Sequence, residues 1–359
     1  MKKLFSLLLI TAIVFSLCSC AGKVEKSTET APPEITGDTS GTTGEPVSTS
    51  VAPENLNEVI EDVSAYPVWY IGKSISELGG MSFGSSSTIN GQPNCELLNE
   101  EHNEIFPGVN YIYSDGAYEG GQQNPNALLV SVYTSGDKEL YPGLAAGRSY
   151  NEYRQSFAVS ELAYSEDYGC YYATSRFIVN GRDVTAYLFF YEKISLCTTI
   201  IMTAEDELHF SSVSVPENER ELYPVFYLGR NALSMKAKYG DDLYFADGND
   251  TAERKTALLI KPDEELESEK AGETARIKNV QINLPGANIL PGLRFSDSAE
   301  DYFATFRKAG ESPELSSEGD GAYLGTVFIA GYFAECFITL DFEDNSKVIY
   351  VSFNCKQLF

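Results

Sequence analysis

The sequence predicts an α+β protein: two tandem copies of one module, each with short helices packed on an antiparallel sheet, behind a signal peptide and a disordered linker. Three observations predict it. An eight-residue segment recurs 157 positions further on. Helix N-capping signals stand before short apolar stretches in both copies. Each copy then ends in three consecutive strand-like runs. This divides the chain into residues 1–19 (signal), 20–55 (tether), 56–214 (first module) and 215–359 (second module).

The first element is a leader. Lys2 and Lys3 precede an apolar run over residues 4–17. As a helix that run would reach only ~21 Å, short of a ~30 Å bilayer core, so it reads as a secretory signal rather than a span. It closes on Leu17-Cys18-Ser19-Cys20, followed by Ala21-Gly22. This string resembles the lipobox of bacterial lipoproteins. The resemblance implies cleavage before Cys20, lipid on the Cys20 sulfur and a mature chain held on the extracytoplasmic face of the membrane. An ordinary signal peptide with a cysteine at its cleavage site is the alternative.

The tether follows. Residues 21–55 hold eleven Ser or Thr, four Gly, four Pro and no aromatic residue, a composition that cannot repay the entropy of folding. Coil statistics place the folded part on the order of 30 Å from the bilayer.

Past the tether, Tyr66-Pro67-Val68-Trp69-Tyr70-Ile71-Gly72-Lys73 recurs as Tyr223-Pro224-Val225-Phe226-Tyr227-Leu228-Gly229-Arg230. Pro142-Gly143-Leu144 recurs as Pro291-Gly292-Leu293, and Ser149, Glu152, Tyr153 and Phe157 align with Ser298, Asp301, Tyr302 and Phe306. Ser74 with Glu77 and Ser149 with Glu152 read as capping boxes. Tyr150, Tyr153 and Phe157 share one helical face. Strands are expected over 171–179, 184–191 and 194–202, with Asn180-Gly181 as a tight turn, and over 323–329, 333–342 and 348–353 in the second copy. The charged stretch 261–273 reads as a solvated excursion. Helical segments followed by an antiparallel sheet, duplicated in an exported chain, resemble the tandem layout of the β-lactamase inhibitor proteins. That similarity is of layout alone, and no functional residue is carried across it.

Seven cysteines are present. Cys18 leaves with the leader and Cys20 takes lipid, so five remain in the folded part, an odd number. Matching the apolar faces of the last two strands sets Cys336 opposite Cys355, where a disulfide or two packed thiols can sit. Cys170 and Cys197 fall on strands with a third between them, too far apart to bridge.

With 26 Lys and Arg against 52 Asp and Glu, the net charge is −26. Such a chain repels phosphate backbones and anionic lipid, so neither nucleic acid nor a membrane surface is an expected partner of its side chains, and attachment rests on the acyl chains. Searches for chemistry return little. There is no GxSxG on a strand–turn–helix, no phosphate loop and no dinucleotide fingerprint. His102 and His209 stand apart and no CxxC occurs, so no metal or cofactor is expected. The acids around His102 (Glu100, Glu101, Glu104) follow from composition. Asp241, Asp242, Asp247, Asn249 and Asp250 lack the spacing of a calcium loop and read as a solvated turn. No catalytic residue is nominated. The candidate binding residues are Tyr164, Tyr168, Tyr171 and Tyr172, whose counterpart stretch in the second copy, around residues 314–323, is mostly small and polar; Trp69, matched by Phe226, reads as core. The functional expectation is a lipid-anchored, non-catalytic binding or adaptor protein of the cell envelope with a protein or glycan partner. A protein inhibitor of an extracellular enzyme and a carboxylate-based envelope hydrolase are the alternatives.

Overall fold

The computed structural model describes residues 56–355 except 59, 61, 79–81, 84–86, 90–91, 100, 102, 115–117, 120–121, 206–207, 209–214, 232–243, 246–257, 263–275, 283–286, 296, 306–315, 320, 342 and 345. The leader, the lipobox, the tether and the acids at 241, 242, 247 and 250 lie outside the described residues. All described residues fall in one compact unit, Ser50–Phe359.

Two antiparallel sheets dominate it. The first is built from β1 (Ser87–Ile89), β2 (Gln92–Cys95), β3 (Asn110–Tyr113), β4 (Leu129–Thr134), β5 (Ala163–Ser165), β6 (Cys170–Val179), β7 (Arg182–Phe190) and β8 (Cys197–Thr203), in spatial order 1-2-3-4-8-7-6-5. The second comprises β9 (Tyr244–Phe245), β10 (Leu258–Pro262), β11 (Ile277–Ile282), β12 (Ser316–Gly319), β13 (Ala322–Ile329), β14 (Tyr332–Leu340) and β15 (Val348–Cys355), in order 9-10-11-15-14-13-12. Adding seven to each strand number of the order 2-3-4-8-7-6-5 returns the second sheet. One pairing departs from this: β9 and β10 run parallel, whereas β2 and β3 are antiparallel.

Local details repeat as well. Val179 pairs with Arg182 around Asn180-Gly181, and Ile329 pairs with Tyr332 around Ala330-Gly331. All four turn residues have positive φ, as a two-residue hairpin turn matched to strand twist requires. Gly72 and Gly229 also have positive φ, and the first residue after each hairpin turn lies over them. A Cβ on Gly72 would come within 2.4 Å of Arg182, and one on Gly229 would run into the Tyr332 hydroxyl.

The α+β expectation is corrected: this is a β-rich fold. Two α-helices are described, α1 (Tyr150–Ser156) and α2 (Ala299–Thr305). Both carry the reciprocal serine–carboxylate cap. A capping box marks where a helix starts and says nothing of its length. After α1, Phe157 is already extended. The helices therefore plug the sheet rather than form a layer: Tyr150 and Tyr153 set their rings edge-on to Phe190, and Phe157 meets Phe177.

The two sheets are buried differently. Strand β14 alternates between buried and half-buried positions, as a sheet covered on one face does. In β8 every residue is buried, and in β7 every residue from Ala186 to Phe190. One face, with Ala186, Leu188 and Phe190, packs on Tyr111, Leu144 and Tyr153. The other, with Tyr187, Phe189 and Ile201, packs on Phe328, with Phe333 beside it. Ring centroids lie 4.1 Å apart for Tyr133–Phe333 and 4.7 Å apart for Phe189–Phe328. Thr198 Oγ1 donates to the Gly331 carbonyl at 2.8 Å beside them. The turn of the second hairpin thus serves as the lid on the first sheet.

Candidate functional site

Where the first sheet ends and the second half begins, arginines and aromatic rings converge. Tyr191 follows β7 directly, yet its ring belongs to the apolar core of the second half with Tyr223, Phe226 and Tyr227. Arg220, in the 3-10 segment Glu217–Leu222, sets its guanidinium 3.9 Å from the Tyr191 centroid, 5.6 Å from Phe226 and 5.8 Å from Tyr164. Arg230 approaches the same ring at 4.5 Å and donates to the Tyr191 hydroxyl and, at 3.0 Å, to Glu221. Burial raises the pKa of the Tyr191 hydroxyl, and the two guanidiniums work against that rise.

The arginines differ in their partners. Arg230 has Glu221 at 3.0 Å and Glu192 at 3.9 Å. Arg220 is only 5% exposed, and among the described residues no carboxylate reaches its guanidinium within ion-pair distance. Its Nε and Nη2 are buried without a hydrogen-bond acceptor. These two nitrogens form the side-on edge of the guanidinium, whose parallel N–H bonds match the two oxygens of a carboxylate. Leaving such donors dry is expensive, about 1–3 kcal/mol for a neutral group and more for a charged one.

Glu217, one turn before Arg220, is engaged elsewhere: the Tyr171 hydroxyl donates to it. Burial, and then that bond to Glu217, push the Tyr171 hydroxyl up to about 12. Lys193 sits 5.3 Å from the Tyr171 ring, and Tyr164 donates to the Val215 carbonyl at 2.6 Å. Burial raises the Cys170 thiol, with Arg220 opposing that rise. The rim is apolar. Ile194 is 91% exposed in the turn after Tyr191, and Leu222, two residues past Arg220, is 58% exposed.

The four tyrosines nominated from sequence do not form one outward patch. Tyr164 and Tyr171 are paired across β5 and β6 and line the arginine site. Tyr168 and Tyr172 face the other way, into the cluster shared with Phe189. Trp69 is half-buried on the first core, with Lys73 4.5 Å from its ring, whereas its counterpart Phe226 is buried at the arginine site.

The last two strands pair two residues away from the expected register. Cys336 faces Phe353 and Cys355 faces Ala334, so the two cysteines are diagonal neighbours; both are buried thiols. Cys170 and Cys197 are also buried thiols, with β7 between their strands. Glu101 and Glu104 are exposed, and Glu104 accepts from the Gly108 amide at 3.2 Å. Among the described residues, no group of three or more His, Cys, Asp and Glu side chains is arranged to hold a metal.

Arg220 itself escaped the sequence reading, hidden in the charged string Glu217-Asn218-Glu219-Arg220-Glu221. One signal could have found it. The 157-residue offset carries Arg220 onto Val63, a core residue 3% exposed. A buried position served by valine in one copy holds an arginine in the other. No family model, curated protein or solved structure matches the chain.

Proposed function

We propose that this is a lipid-anchored binding protein of the extracytoplasmic membrane face, with the arginine–tyrosine site between its halves as the place where it holds its partner. The observation that carries the reading is the exchange of Val63 for Arg220 at equivalent buried positions. Core packing alone is served by valine. A buried cation with open donors is a burden on stability that ligand recognition would explain. The anchor rests on Lys2, Lys3, the apolar run and Cys20; the tether gives the folded unit reach across the envelope.

Two measurements test the two parts. For the anchor, Cys20→Ser should abolish lipid labelling and move the protein from the membrane to the soluble fraction; a variant that still labels and sediments overturns the anchor. For binding, cross-linking in intact envelope should give a stoichiometric adduct with the wild type that Arg220→Met loses. Turnover of wall glycan that disappears with a single Asp or Glu substitution would replace binding with hydrolysis.

A further inference from the structure

Resting on the binding reading above, we infer that the ligand is a carboxylate attached to an apolar residue, as at the C-terminus of a peptide, seated side-on against Nε and Nη2 of Arg220. Three features select this chemistry. The two open donors are adjacent and parallel, which suits the paired oxygens of a carboxylate. The guanidinium is backed by Tyr191, Phe226 and Tyr164, which exclude water and strengthen a charge-assisted pair. Ile194, three residues past Tyr191, and Leu222, two past Arg220, are exposed apolar side chains in the flanking segments and reward a hydrocarbon side chain more than a hydroxylated sugar.

The surrounding charge sharpens the choice. In a chain of net charge −26, an anion is repelled almost everywhere. At this site Arg220, Arg230 and Lys193 stand among Glu192, Glu217 and Glu221, so the acids are balanced by cations, and Glu192 and Glu221 engage Arg230. Glu217 stays on the Tyr171 hydroxyl, which leaves the Arg220 edge to the ligand. A monoanion is therefore matched to the single unpaired charge of Arg220, and a dianion would add to the surrounding negative charge.

The test is calorimetric titration of the full-length protein in detergent with N-acetyl-leucine, N-acetyl-leucine amide and glucuronate. N-acetyl-leucine is expected to bind saturably; the amide, which lacks the anion, and glucuronate, which lacks the apolar side chain, are each expected to bind at least tenfold more weakly. Arg220→Met should lower N-acetyl-leucine affinity at least tenfold while raising the thermal midpoint, because the apolar side chain restores what Val63 provides in the first copy. Arg220→Lys, which keeps charge but loses the fork, should weaken binding similarly. Glu217→Gln should bind at least as well as wild type. Absence of binding, equal binding of acid and amide, or equal binding by wild type and Arg220→Met overturns the carboxylate seat; glucuronate binding more tightly than N-acetyl-leucine overturns the peptide assignment. If the probes fail while the envelope adduct of the previous section still depends on Arg220, this inference falls alone. If that adduct is also unaffected by Arg220→Met, the binding reading falls with it.

Discussion

Removing the Phe328 ring should destabilise a tryptophan in the opposite half of the molecule. Phe328 is 4% exposed and meets Phe189 at 4.7 Å, Phe333 at 4.9 Å and Tyr168 at 6.3 Å. A buried Phe→Ala change costs about 3–5 kcal/mol, and losing three ring partners places this site toward the upper part of that range. The chain has a single tryptophan, Trp69, whose ring rests on the core of the first half. Its fluorescence therefore reports the first half, while far-UV circular dichroism reports both sheets. If the first sheet needs its lid, the two signals change together in urea. With a denaturant slope of about 3 kcal/mol per molar, a 4 kcal/mol loss in Phe328→Ala moves the Trp69 midpoint down by about 1.3 M. Phe328→Leu, which refills most of the volume, should recover the larger part of that shift. A Trp69 midpoint within about 0.2 M of wild type, with the dichroism split in two steps, would refute the argument that the halves share one cooperative core.

Three further outcomes follow from the same geometry. Gly331→Ala should destabilise by about 2 kcal/mol or more in the same urea assay. Its φ is +87° and the new Cβ would stand 2.6 Å from Thr198 Oγ1, so strain and clash add. Ser149→Ala should cost about 1 kcal/mol by removing the cap of α1, read as a lower urea midpoint, with Ser149→Asp retaining most of it. Stability should fall as pH rises above about 9. Burial raises the thiol of Cys197 to about 12 and that of Cys336 as well. Groups with raised folded-state pKa values contribute fully below the unfolded value and lose that contribution above it, at about 1.4 kcal/mol per pH unit for each group until its folded pKa is reached. Urea midpoints from pH 8 to 11 check this, and Cys197→Ala with Cys336→Ala should flatten the alkaline slope.

The hairpins were legible because their signals are local. Asn180-Gly181 between apolar runs specifies a two-residue turn, and the pairing of Val179 with Arg182 follows from it. The matching turn at Ala330-Gly331 was not legible alone, since alanine rarely takes a φ of +56°; the repeat is what points to it. Register between β14 and β15 escaped for a different reason. Sliding one strand by two residues leaves every side chain on the same face, so apolar matching cannot separate the two pairings. Nor could periodicity reveal that the first sheet is covered twice. Phe189 and Phe190 simply read as one apolar run, and the cover for one face comes from residues more than a hundred positions away. Arg220 was invisible because its neighbours are acids typical of a solvated turn. Only its alignment with Val63 sets it apart.

The covering of the first sheet by the second hairpin also bears on how the chain is made. Synthesis delivers β1 to β8 well before Phe328 and Phe333, so Tyr187, Phe189 and Ile201 wait uncapped while the intervening residues are polymerised. During that interval the half-made protein carries an uncovered aromatic surface. Truncation anywhere before the hairpin of β13 and β14 would therefore yield an aggregation-prone fragment rather than a working half.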